Sequence, residues 1–144
     1  HYTRMVTKYT CVEDIINEFR SATKRKIYDS ASEGHYKYQI YVDINPDLTP
    51  SPFLDVVHPT VCDMLKFRLG SHYFPIETGR WQGLKREDRL CSACGELGDE
   101  KHIIFRCSLI DRNDITLAER LCDIWSQPDV YKLFRRIKLA KFIR

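Results

Sequence analysis

Cys91-Ser-Ala-Cys94-Gly-Glu-Leu-Gly-Asp-Glu-Lys-His102-Ile-Ile-Phe-Arg-Cys107 is the stretch that decides how this chain is built. Its spacing is C-x2-C, then seven residues to a histidine and four more to a last cysteine. Zinc takes four nitrogen or sulfur ligands in a tetrahedron, and a C-x2-C pair reaches two corners from one tight turn. Gly95 follows the second cysteine, where such a turn needs a residue that tolerates positive φ. The H-x4-C pair suits the first turn or so of a helix and supplies the other two corners. Cys91, Cys94, His102 and Cys107 thus form a closed Cys3His set, so the expected cofactor is one structural zinc rather than a catalytic one.

Outward from this knuckle, the 144 residues suffice for one domain with a modest core, or a small helical domain carrying a zinc unit. A hydrophobic share of 43% beside 30% charged residues is that of an ordinary globular protein. No run approaches the ~18 apolar residues of a membrane span, no signal peptide is visible, and a membrane partner is not expected. The chain opens on His1 and Met5 starts nothing recognisable, which points to a fragment of a longer protein. Three of the six cysteines belong to the zinc spacing. Cys11, Cys62 and Cys122 sit in apolar helical patterns and are expected reduced and buried. Thiolate ligands need a reducing compartment, so the nucleus or cytoplasm is expected.

The pattern is mostly helical. Val12, Ile15, Ile16, Phe19 and Ala22 recur at helical spacing, with Thr10 as N-cap and Glu13 three residues on. Residues 30–35 read as a break. Tyr36–Ile44 is β-branched and aromatic, and predicts one short strand or extended arm. Residues 45–52 hold Pro46, Pro50 and Pro52 and read as a linker, dividing an N-terminal part, 1–50, from a helical zinc-knuckle domain, 51–144. An apolar helical segment covers 53–69, divided by Pro59, with Val61, Met64, Leu65 and Arg68 as its buried stripe and Gly70 as its stop. Residues 71–90 read as irregular, and the zinc unit occupies 90–108. A helix is predicted from Asn113 or Asp114 through Leu117, Leu121, Ile124 and Trp125. A last helix buries Val130, Leu133, Phe134, Ile137 and Ala140. The expected class is mainly α, a small helical domain with a Cys3His knuckle.

A formal charge of +3 is too small to identify a partner, but its distribution says more. Arg20, Lys24, Arg25 and Lys26 cluster early, and Lys132, Arg135, Arg136, Lys138, Lys141 and Arg144 crowd the end without an acid among them. Either group can be a solvated helix face or a phosphate-facing strip. Arg80, Lys85, Arg86, Arg89 and Arg106 flank the zinc unit, where Trp81 or Phe105 can stack on an unpaired base. Trp81 can equally pack on the zinc unit, and Arg68 can cap a helix or meet phosphate. The knuckle's own loop is acidic at Glu96, Asp99 and Glu100, which moves the expected contact to the Arg80-to-Arg89 approach and to Arg135, Arg136 and Lys138. His58 and His72 are not expected to bind metal.

The run Phe-Arg-Leu-Gly-Ser-His-Tyr-Phe-Pro-Ile-Glu-Thr-Gly-Arg-Trp, ending at Trp81, followed by Arg-Glu-Asp-Arg-Leu and the knuckle, resembles the C-terminal segment of LINE-type (non-LTR) retrotransposon reverse transcriptases. Cys91, Cys94, His102 and Cys107 match that family's cysteine-histidine cluster ligand by ligand. Arg68 with Gly70, and Arg80 with Trp81, match the segment before it. The resemblance covers about residues 53–125. It implies a non-catalytic module that holds template RNA or target DNA beside the rest of a reverse transcriptase polypeptide. The chain has no Asp-Asp polymerase signature, and Pro128-Asp129 is followed by no nuclease Asp-x-Lys or Glu-x-Lys. Two other classes compare with it. A protein-interaction scaffold would show its basic strip salt-bridged internally. A zinc deaminase needs a His-x-Glu or Cys-x-Glu element and a Pro-Cys-x-x-Cys, whereas Leu90 stands at the proline position.

Overall fold

The structure is a computed structural model that describes residues 12–50 and 56–142. The chain divides into two compact units, His1–Val42 and Asp43–Arg144. The proposed cap Thr10, Cys11, Phe53 and Arg144 lie outside the described residues. Among those described, no helix is long and apolar enough to cross a membrane.

The first unit holds α1 (Val12–Ser32) and the first part of α2 (Tyr36–Ile44). α1 is rich in Glu, Lys, Arg and Ala, good helix formers, and carries Glu13 and Asp14 in its first turn where the helix dipole favours acids. It buries no residue. α2 overturns the expected strand. The same apolar residues that alternate in a strand also fall at i, i+4 and i+8, and the helix uses that second period: Tyr36 is half-buried, and Ile40 and Ile44 are buried. Tyrosine and isoleucine favour strands, but the whole scale spans only about 1 kcal/mol, and packing overrides the preference.

The second unit begins with residues expected to form a linker. Asn45 is buried, and its side chain both donates to the Thr49 carbonyl and accepts from the Thr49 N–H, closing a turn. Arg68 Nη2 donates to the same carbonyl at 3.0 Å. Residues 45–50 are therefore a folded part of the second unit, while 51 and 52 lie outside the described residues.

α3 (Val61–Arg68) starts only after Pro59, and residues 56–58 are not helical as expected. It stops at Gly70, whose N–H and that of Ser71 bond back to the Phe67 and Lys66 carbonyls. Met64 and Arg68 of the predicted stripe are buried, but Val61 and Leu65 are only half-buried, and Phe67 takes the central place. Cys62 is exposed, contrary to expectation, because it lies across the helix from Met64 and Phe67; Cys122 is half-buried.

Residues 71–90 are less irregular than expected. Pro75 opens α4 (Pro75–Trp81) at a position where a missing N–H costs nothing, and Arg86–Asp88 adds a 3-10 turn, η1. The predicted helix from 113 to 125 is absent. Asp111 accepts from the Asn113 N–H in a local turn, residues 115–118 have no regular structure, and only Leu121–Ser126 coils, as 3-10 helix η2. Short polar side chains that bond their own backbone compete with helix in this way.

α5 (Glu100–Phe105) carries a zinc-spaced histidine, and α6 (Val130–Leu139) closes the unit. Val130, Leu133, Phe134 and Ile137 of α6 are buried on one face, as their spacing predicts; Ala140, just past the helix end, is half-buried. Phe134 meets Phe67 edge-on at 5.4 Å and stacks on Trp125 at 5.7 Å, while Phe67 also contacts Phe74. This aromatic cluster, with Ile76, Ile103, Ile104 and Ile124 fully buried, is the core on which the knuckle sits.

Candidate metal centre

The knuckle is a turn clipped at its base. Leu90 and Leu97 form an isolated antiparallel bridge, the Cys91 N–H donates to the Glu96 carbonyl at 2.7 Å, and the Gly95 N–H donates to the Cys91 carbonyl at 2.8 Å. Gly95 has φ 72, the conformation expected of it. Asp99 caps α5, accepting from the His102 N–H at 2.8 Å. His102 therefore sits in the first turn of a capped helix. Cys107 lies just beyond the helix end, where its N–H bonds back to the His102 carbonyl at 2.8 Å, rather than within a helical H-x4-C turn.

The ligand atoms of Cys91, Cys94, His102 and Cys107 all lie within 4.8 Å of one another, so this group can hold a metal ion. Cys91 and Cys107 Sγ are 3.7 Å apart. Two thiolates about 2.3 Å from a tetrahedral zinc are separated by about 3.8 Å. The histidine is the sharper test. Its Nδ1 is 3.0 Å from Glu96 Oε2, and a carboxylate only accepts, so Nδ1 carries the proton. Nε2 then presents its lone pair, and it is buried with no hydrogen-bond partner. An orphaned buried acceptor pointing into three thiols fits a metal ligand.

The thiols are differently poised. Hydrogen bonds from the Ser108 hydroxyl and amide lower Cys94 to about 7, whereas burial pushes Cys107 up to about 11. A bound divalent cation overrides both by holding its sulfur ligands as thiolates. Arg112 stands behind the cluster. Its guanidinium donates to the carbonyls of Ile103, Ile104, Cys107 and Ile110 at 2.6 to 2.8 Å, satisfying the end of α5 and the turn carrying Cys107. Burial lowers its pKa, and the negative charge of Cys107 as a thiolate opposes that shift.

The acidic loop has internal tasks. Glu96 holds His102, Asp99 caps α5, and Glu100 is 3.1 Å from buried His72 Nε2, whose Nδ1 accepts from the Phe74 N–H. None of these roles was expected; the cap alone has a local signal, an aspartate three residues before His102.

The expected nucleic-acid contacts are scattered in status. Arg68 is buried, and Arg89 packs against Gly79, where any Cβ would meet its Cγ at 2.5 Å, while donating to the Leu84 and Ile76 carbonyls. Arg80 forks onto buried Glu77, and Arg106 faces Glu96 at 3.8 Å. Phe105 is half-buried, and Trp81 stands exposed beside Tyr73. In the terminal helix Lys132 pairs with Asp129, Arg136 with Asp114 and Lys138 with buried Asp63. Lys85, Arg86 and Arg135 are exposed. No protein-family model, curated protein or solved structure matches this chain.

Proposed function

We propose that this chain is a zinc-stabilised, nucleic-acid-binding module, the non-catalytic C-terminal part of a retrotransposon-type reverse transcriptase that positions template RNA or target DNA. The observation that carries the zinc assignment is His102, with Nδ1 engaged by Glu96 and Nε2 buried and unpartnered among three thiols. Three sulfurs and one imidazole suit zinc rather than magnesium or calcium, which take oxygen ligands. With four protein ligands no position remains for substrate, so zinc would supply folding energy, about 10–16 kcal/mol in comparable small units. The chain's own residues do the rest. Glu96 fixes the imidazole, Asp99 caps its helix, and the Arg112 cation offsets the net negative charge of a zinc with three thiolates.

The polymerase context rests on the resemblance of the run before the knuckle. Nucleic-acid binding is supported by exposed Trp81, Lys85, Arg86 and Arg135. Arg68, Arg89, Arg136 and Lys138 act on this reading as internal braces rather than phosphate contacts. A reduced three-thiolate site supports a place inside the cell.

A second reading is favoured by one observation: Lys132, Arg136 and Lys138 are all ion-paired within the chain. On it the zinc unit is a scaffold docking on protein. Titration of labelled RNA and DNA at two salt concentrations separates the two. The nucleic-acid reading expects binding whose log-log salt slope reflects about 0.7 to 0.9 per phosphate contact. Absence of binding at low salt moves the assignment to the scaffold.

A further inference from the structure

We propose that Tyr73 and Trp81 form a two-ring platform for unpaired nucleobases, so that the nucleic acid this chain takes is single-stranded. The proposal rests on the nucleic-acid reading above and narrows it. Trp81 is 54% exposed and Tyr73 38%, and their rings meet at right angles, 84°, with centroids 5.5 Å apart. Both rings therefore keep solvent-exposed surface beside their mutual contact. Tryptophan is highly buried on average, and one more than half exposed at the end of a helix needs a reason.

The platform is rigidly mounted. Trp81 is the last residue of α4, and the Tyr73 N–H donates to the Phe142 carbonyl at 2.8 Å. Phe142 itself packs edge-on against core Phe74. Cations surround the pair along the chain: Arg80 precedes Trp81, Lys85 and Arg86 lead into η1, and Lys141 precedes Phe142. Exposed Glu87 and Asp88 sit in the same stretch and offset part of that charge, while Glu77 is buried under Arg80. Mixed charge in the sequence next to two exposed rings favours a ligand held mostly by its bases. Paired bases have no free faces, which excludes the duplex from this surface.

The test uses the full zinc-loaded chain. Trp125 is the other tryptophan, so Trp125→Phe leaves Trp81 as the sole indole reporter. Oligothymidylate should quench its emission, while an abasic strand with the same phosphates and a duplex of matching length should not. Tyr73→Ala and Trp81→Ala, followed by a labelled strand, should each weaken single-strand binding about tenfold or more, with the salt slope unchanged. Trp81→Phe should retain most of it. Zinc content and melting temperature report folding, and exposed Trp81 keeps the test open should the Tyr73 variant unfold. Equal binding of the abasic strand, or full affinity in both alanine variants, overturns the platform and leaves phosphate-driven binding standing. Failure of the unmutated chain to bind any strand at low salt overturns the platform and the nucleic-acid reading together.

Discussion

Glu96 and His102 are joined through Nδ1 at 3.0 Å, and the far side of the same ring, Nε2, is buried without a partner. A carboxylate behind a ligating imidazole fixes its tautomer and raises its basicity, and losing such a group costs about 10–100-fold in metal affinity. Glu96→Ala should therefore weaken zinc by about that factor, measured by chelator competition. Glu96→Gln, whose amide oxygen still accepts from Nδ1–H, should lose less.

Gly98 binds the knuckle to α4. Its carbonyl accepts from the Ile76 N–H at 3.1 Å, and a Cβ on it would stand 2.4 Å from Pro75 Cγ. Gly98→Ala should destabilise the zinc-loaded protein by about 1–3 kcal/mol, the usual cost of overpacking. Pro75→Ala in that background should recover part of the loss. A double-mutant cycle in chemical denaturation measures the coupling.

Arg112 answers four carbonyls with one planar group. Arg112→Lys cannot reproduce that fork and should cost about 2–4 kcal/mol, nearly as much as Arg112→Ala. A lysine variant as stable as the parent would remove this residue from the account.

The Arg136 guanidinium beside Asp114 holds that carboxyl below its ordinary range, chiefly through their hydrogen bond. A depressed folded pKa adds stability that is present above the unfolded value, about 3.9, and is lost as pH falls through the folded one. Carboxyl NMR titration should find Asp114 low in the parent and close to the ordinary value in Arg136→Gln. Because Arg136 is engaged internally, that variant should leave the salt slope of nucleic-acid binding nearly unchanged, whereas Arg135→Gln should reduce it.

The four residues that can hold a metal ion were legible because their spacing is local: C-x2-C is one turn, and His102 and Cys107 lie in the first turn of one short helix and just past its end. The buried face of α6 was legible for the same reason, its period spanning contiguous residues. What the sequence hid depends on partners far along the chain. Nothing near Glu100 announces His72, and nothing near Lys138 announces Asp63. Tyr36–Ile44 satisfies a period of two and a period of four at once, so packing rather than pattern made it helical. The missing helix after Asp111 reflects short polar residues that bond their own backbone, a competition that apolar spacing does not register.

A closed zinc site of three sulfurs and one nitrogen has a distinct signature in X-ray absorption at the zinc edge, recorded on the purified chain. One zinc per chain is expected, with three sulfurs at about 2.3 Å and one nitrogen at about 2.0–2.1 Å. In Cys91→Ser one sulfur should be gone from that shell, or the metal lost altogether. A chain that retains no zinc, or whose zinc carries a water oxygen in place of one of the four ligands, would contradict it.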